Sequence, residues 1–263
     1  MGTSEMSHQD TYLHNETLAQ VLADWDPAFY AKYIDALKPV DLSGKVLDIG
    51  CGVGRVVGEL RRAGVDAMGV DVSEANIQRA RAEGLPCEFY DGRRLPFPDA
   101  TFTAAGALNV LEHVEAPEDF LKELVRVVRP GCRVVVSSPN FYRAIGLRDY
   151  HRQMRGWRNK WANWNRLREK QHLIRAFPEQ VRFDRMTPVF KEPFEPDDDA
   201  IVATNGMEIR FFLERFGCEV IRVECTDRYV PRLADWILNA TPLRFLMFNA
   251  FVLGRRRAEA VTQ

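Results

Sequence analysis

Three glycines at alternate positions, Gly50, Gly52 and Gly54, are the residues whose type and spacing most directly imply chemistry in this 263-residue chain. Glycine serves where the backbone must take positive φ and where a ligand must reach main-chain atoms with no Cβ in the way. The run is preceded by Asp48, and further acids stand at Asp71 and Asp91. A dinucleotide-binding G-x-G-x-x-G spacing fails in both registers, because Arg55 and Val57 occupy the place of the third glycine. A carboxylate at position 48 would repel a pyrophosphate, but it suits a ligand carrying an ammonium and a sulfonium.

The elements that must position these residues follow from the pattern. Lys45 to Ile49 reads as a short buried parallel strand, and Val56, Val57 and Leu60 begin an amphipathic helix beyond the loop. Strand, glycine loop and helix N-terminus form the ligand-binding crossover of a doubly wound sheet. Further strands are predicted at Asp66 to Val70, closing on Asp71 and Val72, and at Cys87 to Tyr90, followed by Asp91 and Gly92. A fourth spans Thr103 to Leu108 and ends at Asn109. The helix carrying Leu121, Leu124, Val125 and Val128 is broken by Arg129-Pro130-Gly131-Cys132, which opens a fifth strand, Arg133 to Ser137. Downstream come a helix over Asn205 to Phe216, a strand over Cys218 to Cys225, a short helix within Pro231 to Thr241, and a last strand from Phe245 to Gly254. The arginines at 255, 256 and 257 read as a solvated tail.

The D-x-G-x-G-x-G run, the LPFPDATF segment at 95–102, LEHV at 111–114 and the RPG turn at 129–131 occur in an order that resembles the class I S-adenosylmethionine (SAM) methyltransferases. The nearest group is the small-molecule one that includes the ubiquinone-biosynthesis methyltransferases; the likeness is dense over residues 40–140 and loose over 200–255. It implies one α/β domain over 1–263, a doubly wound Rossmann-like seven-stranded sheet with an antiparallel last strand, SAM as cofactor and a small-molecule methyl acceptor. It also implies that the loop Gly50 to Gly54, with Cys51 and Arg55, holds the methionine part. Asp48 would orient that loop or the ammonium, Asp71 with Val72 the ribose, and Asp91 with Gly92 the adenine, while Asn109 faces the methionine moiety. Each acid has a structural alternative, capping a neighbouring helix or turn.

A hydroxyl acceptor needs a general base and an amine of suitable pKa does not. His113, beside Glu112, is the leading candidate, the alternative being that it only shapes the site; His151 and His172 are weaker ones. In the ubiquinone O-methyltransferases a Glu stands where this chain has Asn109, and the Glu-Glu-His set there is associated with a divalent metal. The amide at 109 removes a charged ligand, so no metal is assigned.

At 46% hydrophobic and 28% charged residues, with a net charge of −1, the chain can bury a full core and is not basic throughout. Five cysteines show no metal or disulfide spacing, which implies a reducing compartment such as the cytoplasm. No apolar leader and no bilayer-length apolar run occur in the sequence. Residues 12–40 read as an N-terminal helical cap of two helices meeting at Asp26-Pro27, with Tyr12, His14 and Tyr30 either facing the ligand or packed in the core.

Residues 141–203 read as a helical lid insertion between strands five and six. From Arg143 to Arg175 there are ten basic residues against two acidic, a net of +8, and Met154, Trp157, Trp161 and Trp164 share one helical stripe. Such a helix can cover the acceptor with its charges in water or against the acidic run Asp197 to Asp199, touch a membrane surface, or stack nucleic-acid bases. The lid is the favoured reading, with the tryptophans turned inward over the acceptor. Nucleic acid is disfavoured as substrate, since no N/D-P-P-Y/F run follows strand four. A SAM-fold scaffold without turnover is the non-enzymatic alternative. Oligomeric state is not legible.

Overall fold

The computed structural model describes residues 27–39, 44–146, 154–188 and 199–258. The expectations for residues 12–26, including Tyr12 and His14, and for His151, Asp197 and Asp198 fall outside these residues. The elements in chain order are α1 (Pro27–Leu37), β1 (Lys45–Ile49), α2 (Arg55–Arg62), β2 (Asp66–Asp71), α3 (Glu74–Ala82), β3 (Cys87–Phe89), β4 (Phe102–Leu108), α4 (Pro117–Val127) and β5 (Val128–Pro139). They continue with α5 (Trp157–Ala176), the two-residue strands β6 (Asp184–Arg185) and β7 (Val202–Ala203), α6 (Gly206–Arg215), β8 (Cys218–Glu224), α7 (Arg232–Asn239) and β9 (Asn249–Arg256).

Seven strands form one sheet in the order β3-β2-β1-β4-β5-β9-β8, with β9 alone antiparallel. The apolar runs are buried on both faces, as a parallel sheet requires. Leu47, Ile49, Ala105, Ala107, Val134 and Val136 pack on one side with α4 and α6. Their alternates Val46, Ala104 and Val135 pack on the other with α1, α2 and α3. The period of two thus gives each strand two cores. Among the described residues no helix is long and apolar enough to cross a membrane.

Three boundaries differ from the sequence reading. The Pro-Gly turn does not separate α4 from β5: Phe102 pairs with Val128, then Ala104 with Arg133, and the register shift absorbs residues 129–132 as an irregularity within the strand. The last strand begins at Asn249, because Thr241 caps a single 3₁₀ turn over Pro242–Phe245. The arginines after it are no simple solvated tail. Arg256 lies in β9, and its Nη1 donates to the carbonyls of Arg126 (2.8 Å) and Val128 (2.7 Å), adding a cationic donor at the end of α4.

The insertion carries its own small core at the end of β5, in which Met154 and Leu167 meet Phe141, Met186 and Ala203. The helix α5 does not lie as its aromatic stripe suggested. Trp157 and Trp161 are 76% and 64% exposed, and the buried face is Asn163, Leu167 and Lys170. Asn163 donates to the carbonyls of Phe141 and Arg143, and Lys170 Nζ lies 2.8 Å from both Asp184 Oδ1 and Glu208 Oε1. Arg166 and the Tyr142 hydroxyl also meet Asp184. Two basic residues of α5, Arg166 and Lys170, therefore pair with Asp184 and Glu208. A buried ammonium with two carboxylates dictates which side turns inward, since an unpaired charge there costs more than exposed indoles. Burial holds the Glu208 carboxyl up at about 7, against the opposing pull of Lys170.

This arrangement predicts that Lys170→Ala lowers the unfolding free energy by about 3–5 kcal/mol, whereas Trp161→Ala stays within about 0.5 kcal/mol of the parent. Urea unfolding checks both, and the reverse ranking would contradict the observed face of α5.

Candidate active site

The glycine loop hangs from β2: the amides of Gly50 and Cys51 donate to the Val70 carbonyl at 2.7 and 3.1 Å. All three glycines sit at positive φ, 71°, 53° and 82°. A Cβ on Gly50 would stand 2.3 Å from Val110 Cγ2. Gly54 is the N-cap of α2 and supplies no side-chain acceptor, so the first-turn amides of that helix are not capped by it. Arg55, the first residue of α2, has a buried Nε with no hydrogen-bond partner among the described residues. Cys51 turns its thiol inward, where Gly69 leaves room for it.

Asp48 is buried, and its Oδ1 accepts the Tyr33 hydroxyl at 2.9 Å. Burial raises its carboxyl to about 7, with nearby Asp71 adding to the shift and Tyr33 opposing it. Asp71 is also buried rather than open at a strand end: Oδ2 accepts from Gly52 N and Oδ1 from Ser73 N, each at 2.8 Å. This carboxylate ties the glycine loop to the start of α3. Burial raises its pKa, while the two amides pull against that. Val72 follows, half-buried against the core. Asp91 is exposed and accepts from the Arg93 amide at 2.9 Å, closing the turn that contains Gly92 at φ 75°.

Asn109 takes φ 52°, the left-handed conformation that asparagine tolerates better than most residues, and its amide donates to Ser137 O at 2.8 Å. A short 3₁₀ turn, Leu111–His113, follows. Glu112 is fully buried, its Oε2 accepting the Ser138 hydroxyl at 2.8 Å. His113 stands between two carboxylates, Nε2 at 3.9 Å from Glu112 and Nδ1 at 3.8 Å from Asp199. Burial raises the Asp199 carboxyl to about 6. His172 is far along α5 and meets Phe177 instead.

The register brings these residues to one edge. Asp48, Asp71, Asn109 and Ser137 all stand at or near the carboxyl ends of adjacent parallel strands, where doubly wound sheets bind ligands. Four residues were missed from sequence. Tyr33, rather than Tyr30, reaches Asp48; Tyr30 is half-buried nearby, its hydroxyl raised to about 12 by burial. Gly106 permits that reach, for a Cβ there would lie 2.7 Å from the Tyr33 hydroxyl. A glycine inside a strand was the available signal. Ser137 Oγ is buried at the same edge with no hydrogen-bond partner among the described residues. Asp199 comes from the acidic run expected to meet the basic helix, and no local pattern ties it to His113.

An orphaned arginine Nε, three positive-φ glycines and a buried acid beside them fit the methionine end of SAM, which carries a carboxylate and an ammonium.

Residues 47–136 match the family described as a methyltransferase domain. A ubiquinone biosynthesis O-methyltransferase of Maricaulis maris is 30% identical over 153 residues, covering 48% of this chain and 60% of that protein. Norajmaline N-methyltransferase of Rauvolfia serpentina is 33% identical over 102 residues, 35% of each chain. The chain thus spans 60% or less of the length of these curated relatives. A SAM-dependent methyltransferase from Mesorhizobium loti superposes with a TM-score of 0.57 at 19% identity, over 88% of this chain and 99% of that one, which speaks for the fold. Residues 47–136 thus resemble a methyltransferase domain, and the fold is shared with solved SAM-dependent methyltransferases.

Asp48 also sets a pH dependence. Its folded pKa lies above its ordinary value of 3.8, so its contribution favours the fold when protonated and is lost as pH rises through about 7. Unfolding of the ligand-free protein at pH 5, 6 and 7 should show an Asp48 contribution that falls with pH and levels off above about 7. Asp48→Asn should remove a slope of up to about 1.4 kcal/mol per pH unit between about pH 4 and pH 7. An unchanged slope would show that the group is already charged.

Proposed function

We propose that this protein transfers a methyl group from SAM to an oxygen or nitrogen of a small molecule bound beside His113. The observation that carries the reading is the glycine loop, set between the buried acids Asp48 and Asp71 at the carboxyl edge of β1 and β2. When bound, SAM supplies a methyl group on a sulfonium, whose transfer needs chiefly alignment and a dry cavity.

On this reading Asp48 gives up its proton to meet the ammonium, and Arg55 with the loop amides takes the carboxylate. Asp71 accepts the ribose hydroxyls on lone pairs left over from Gly52 and Ser73, with Val72 alongside. Asp91 and Gly92 meet the adenine, and Asn109 borders the methionine part. Asp199 faces Nδ1 of His113 and favours a proton there, leaving Nε2 to take the proton of an acceptor hydroxyl. An amine acceptor would need no such base. The insertion acts as a lid through its returning limb rather than its tryptophans: Ile201 N donates to Glu112 O at 2.9 Å, and Thr204 Oγ1 lies 2.7 Å from Ser138 Oγ. The acceptor class is supported by the relatives, an O-methyltransferase of ubiquinone biosynthesis and an N-methyltransferase of norajmaline. Five free cysteines suit a reducing compartment, and we place the protein in the cytoplasm. No metal is assigned, on the ground of the amide at 109.

Calorimetry with SAM and turnover against phenols and amines test the reading. Asp71→Asn should weaken SAM by roughly 1.5–3 kcal/mol, about tenfold to a hundredfold. His113→Gln should leave SAM affinity within about twofold, yet slow methylation of a hydroxyl acceptor by about 10²–10⁴. An unchanged SAM dissociation constant in the first variant would remove Asp71 from the site. Undiminished turnover in the second would remove the base.

A further inference from the structure

We propose that the side of the carboxyl edge formed by α5 and α7 docks on the surface of an anionic lipid bilayer. The helix α7 packs inside out. Its polar residues face the protein: Asn239 accepts from Cys225 N at 2.8 Å and donates to Thr226 and to Asp235. Its apolar stripe faces outward, with Leu233 71% and Trp236 63% exposed and Ile237 beside them. A surface helix of a globular protein does the reverse.

A second exposed stripe lies on α5. Its amino-terminal half is Trp157, Trp161 and Trp164, and the same stripe continues as Arg168, Gln171 and Arg175. Over its length α5 carries six basic residues against one acidic, on a chain whose net charge is −1. Between α5, α6 and the Pro242–Phe245 turn that follows α7 runs a groove of about 460 Å³, walled by Trp164, Arg168 and Arg175 on one side and by Phe211, Phe245 and Leu246 on the other. Both helices follow strands, β5 and β8, that end at the carboxyl edge, and the groove runs from α5 to the turn that follows α7.

Exposed indoles and aliphatic side chains flanked by guanidinium groups match the headgroup boundary of a bilayer. There the rings settle at the interface and the arginines meet lipid phosphates. Stable attachment takes two signals together, apolar insertion and charge, and this surface carries both. Base stacking by RNA would use the tryptophans and leave Leu233 and Ile237 without a role. A two-fold dimer through this face would set the arginine rows against themselves.

Flotation of the full chain with vesicles tests the proposal, using phosphatidylcholine alone or with about 30% phosphatidylglycerol, at about 0.05 M and about 0.5 M salt. The protein should float with the anionic vesicles at low salt, with a blue shift of tryptophan emission, and stay in solution with the neutral ones. Leu233→Ala with Trp236→Ala should weaken binding about tenfold or more. Arg158→Glu with Arg168→Glu and Arg175→Glu should weaken it about a hundredfold. Both variants should keep the parental melting temperature; if one fails to fold, the lipid and salt dependence of the parent decides. No binding to anionic vesicles, equal binding to neutral ones, or variants that float like the parent would overturn the proposal. So would a concentration-dependent dimer, or an RNA complex, that the same substitutions abolish in place of vesicle binding.

Discussion

A row across the sheet, Gly69 on β2, Asp48 on β1 and Gly106 on β4, is the constraint on which the rest of the site depends. Two strand neighbours without side chains leave a dent around one carboxyl group. Cys51 at the start of the glycine loop settles over Gly69, and the Tyr33 hydroxyl over Gly106. The loop is thereby held low against the sheet, and α1 is pinned above it through the hydrogen bond to Asp48. Burying a carboxyl group in such a place disfavours its charge, and that cost is offset when a cation arrives. On the proposed reading, such a site favours a positively charged ligand before any contact to the rest of that ligand is counted.

The second acid works differently. Asp71 accepts two backbone amides, one from the loop and one from the start of α3, so a single side chain sets the spacing between the first two crossovers. Acceptance of amides favours the ionised form in spite of burial. The neighbouring Ser73 hydroxyl caps α3 by accepting from Asn76 N. Asp48 and Asp71 thus divide the labour between a group whose charge waits for a ligand and a group whose charge holds the backbone.

The insertion is tied to the domain by polar contacts as well as by apolar ones such as Phe183 stacked on Phe212. Lys170 and Asn163 on α5, and Thr204 on the returning limb, each satisfy groups at the end of β5 or on α6. Buried polar networks of this kind specify one arrangement more strictly than apolar packing, because each displaced partner is left unsatisfied. The same network delivers Asp199 to within reach of His113. It also leaves the tryptophans of α5 on the outside. A helix whose inward face is fixed by one lysine and one asparagine can keep large apolar side chains free for a second purpose.

The sequence by itself determined the sheet and the edge at which the glycine loop lies. Short apolar runs, each closed by glycine or an acid and following one another in order, read as strands buried on two faces, and the glycine run after the first marks its crossover. These are local signals, carried by periodicity and by the steric needs of single residues. Tertiary structure decided what depends on pairing between distant segments. Tyr33 lies fifteen positions from Asp48, and nothing near either residue announces the bond. Arg256 reads as part of a charged tail until β9 carries it to the end of α4, where its guanidinium meets three carbonyls. The tryptophan stripe was visible, but not its direction. Helical spacing shows which residues share a face, and only the partners of Lys170 and Asn163, brought from β6, α6 and the end of β5, could decide which face is turned inward.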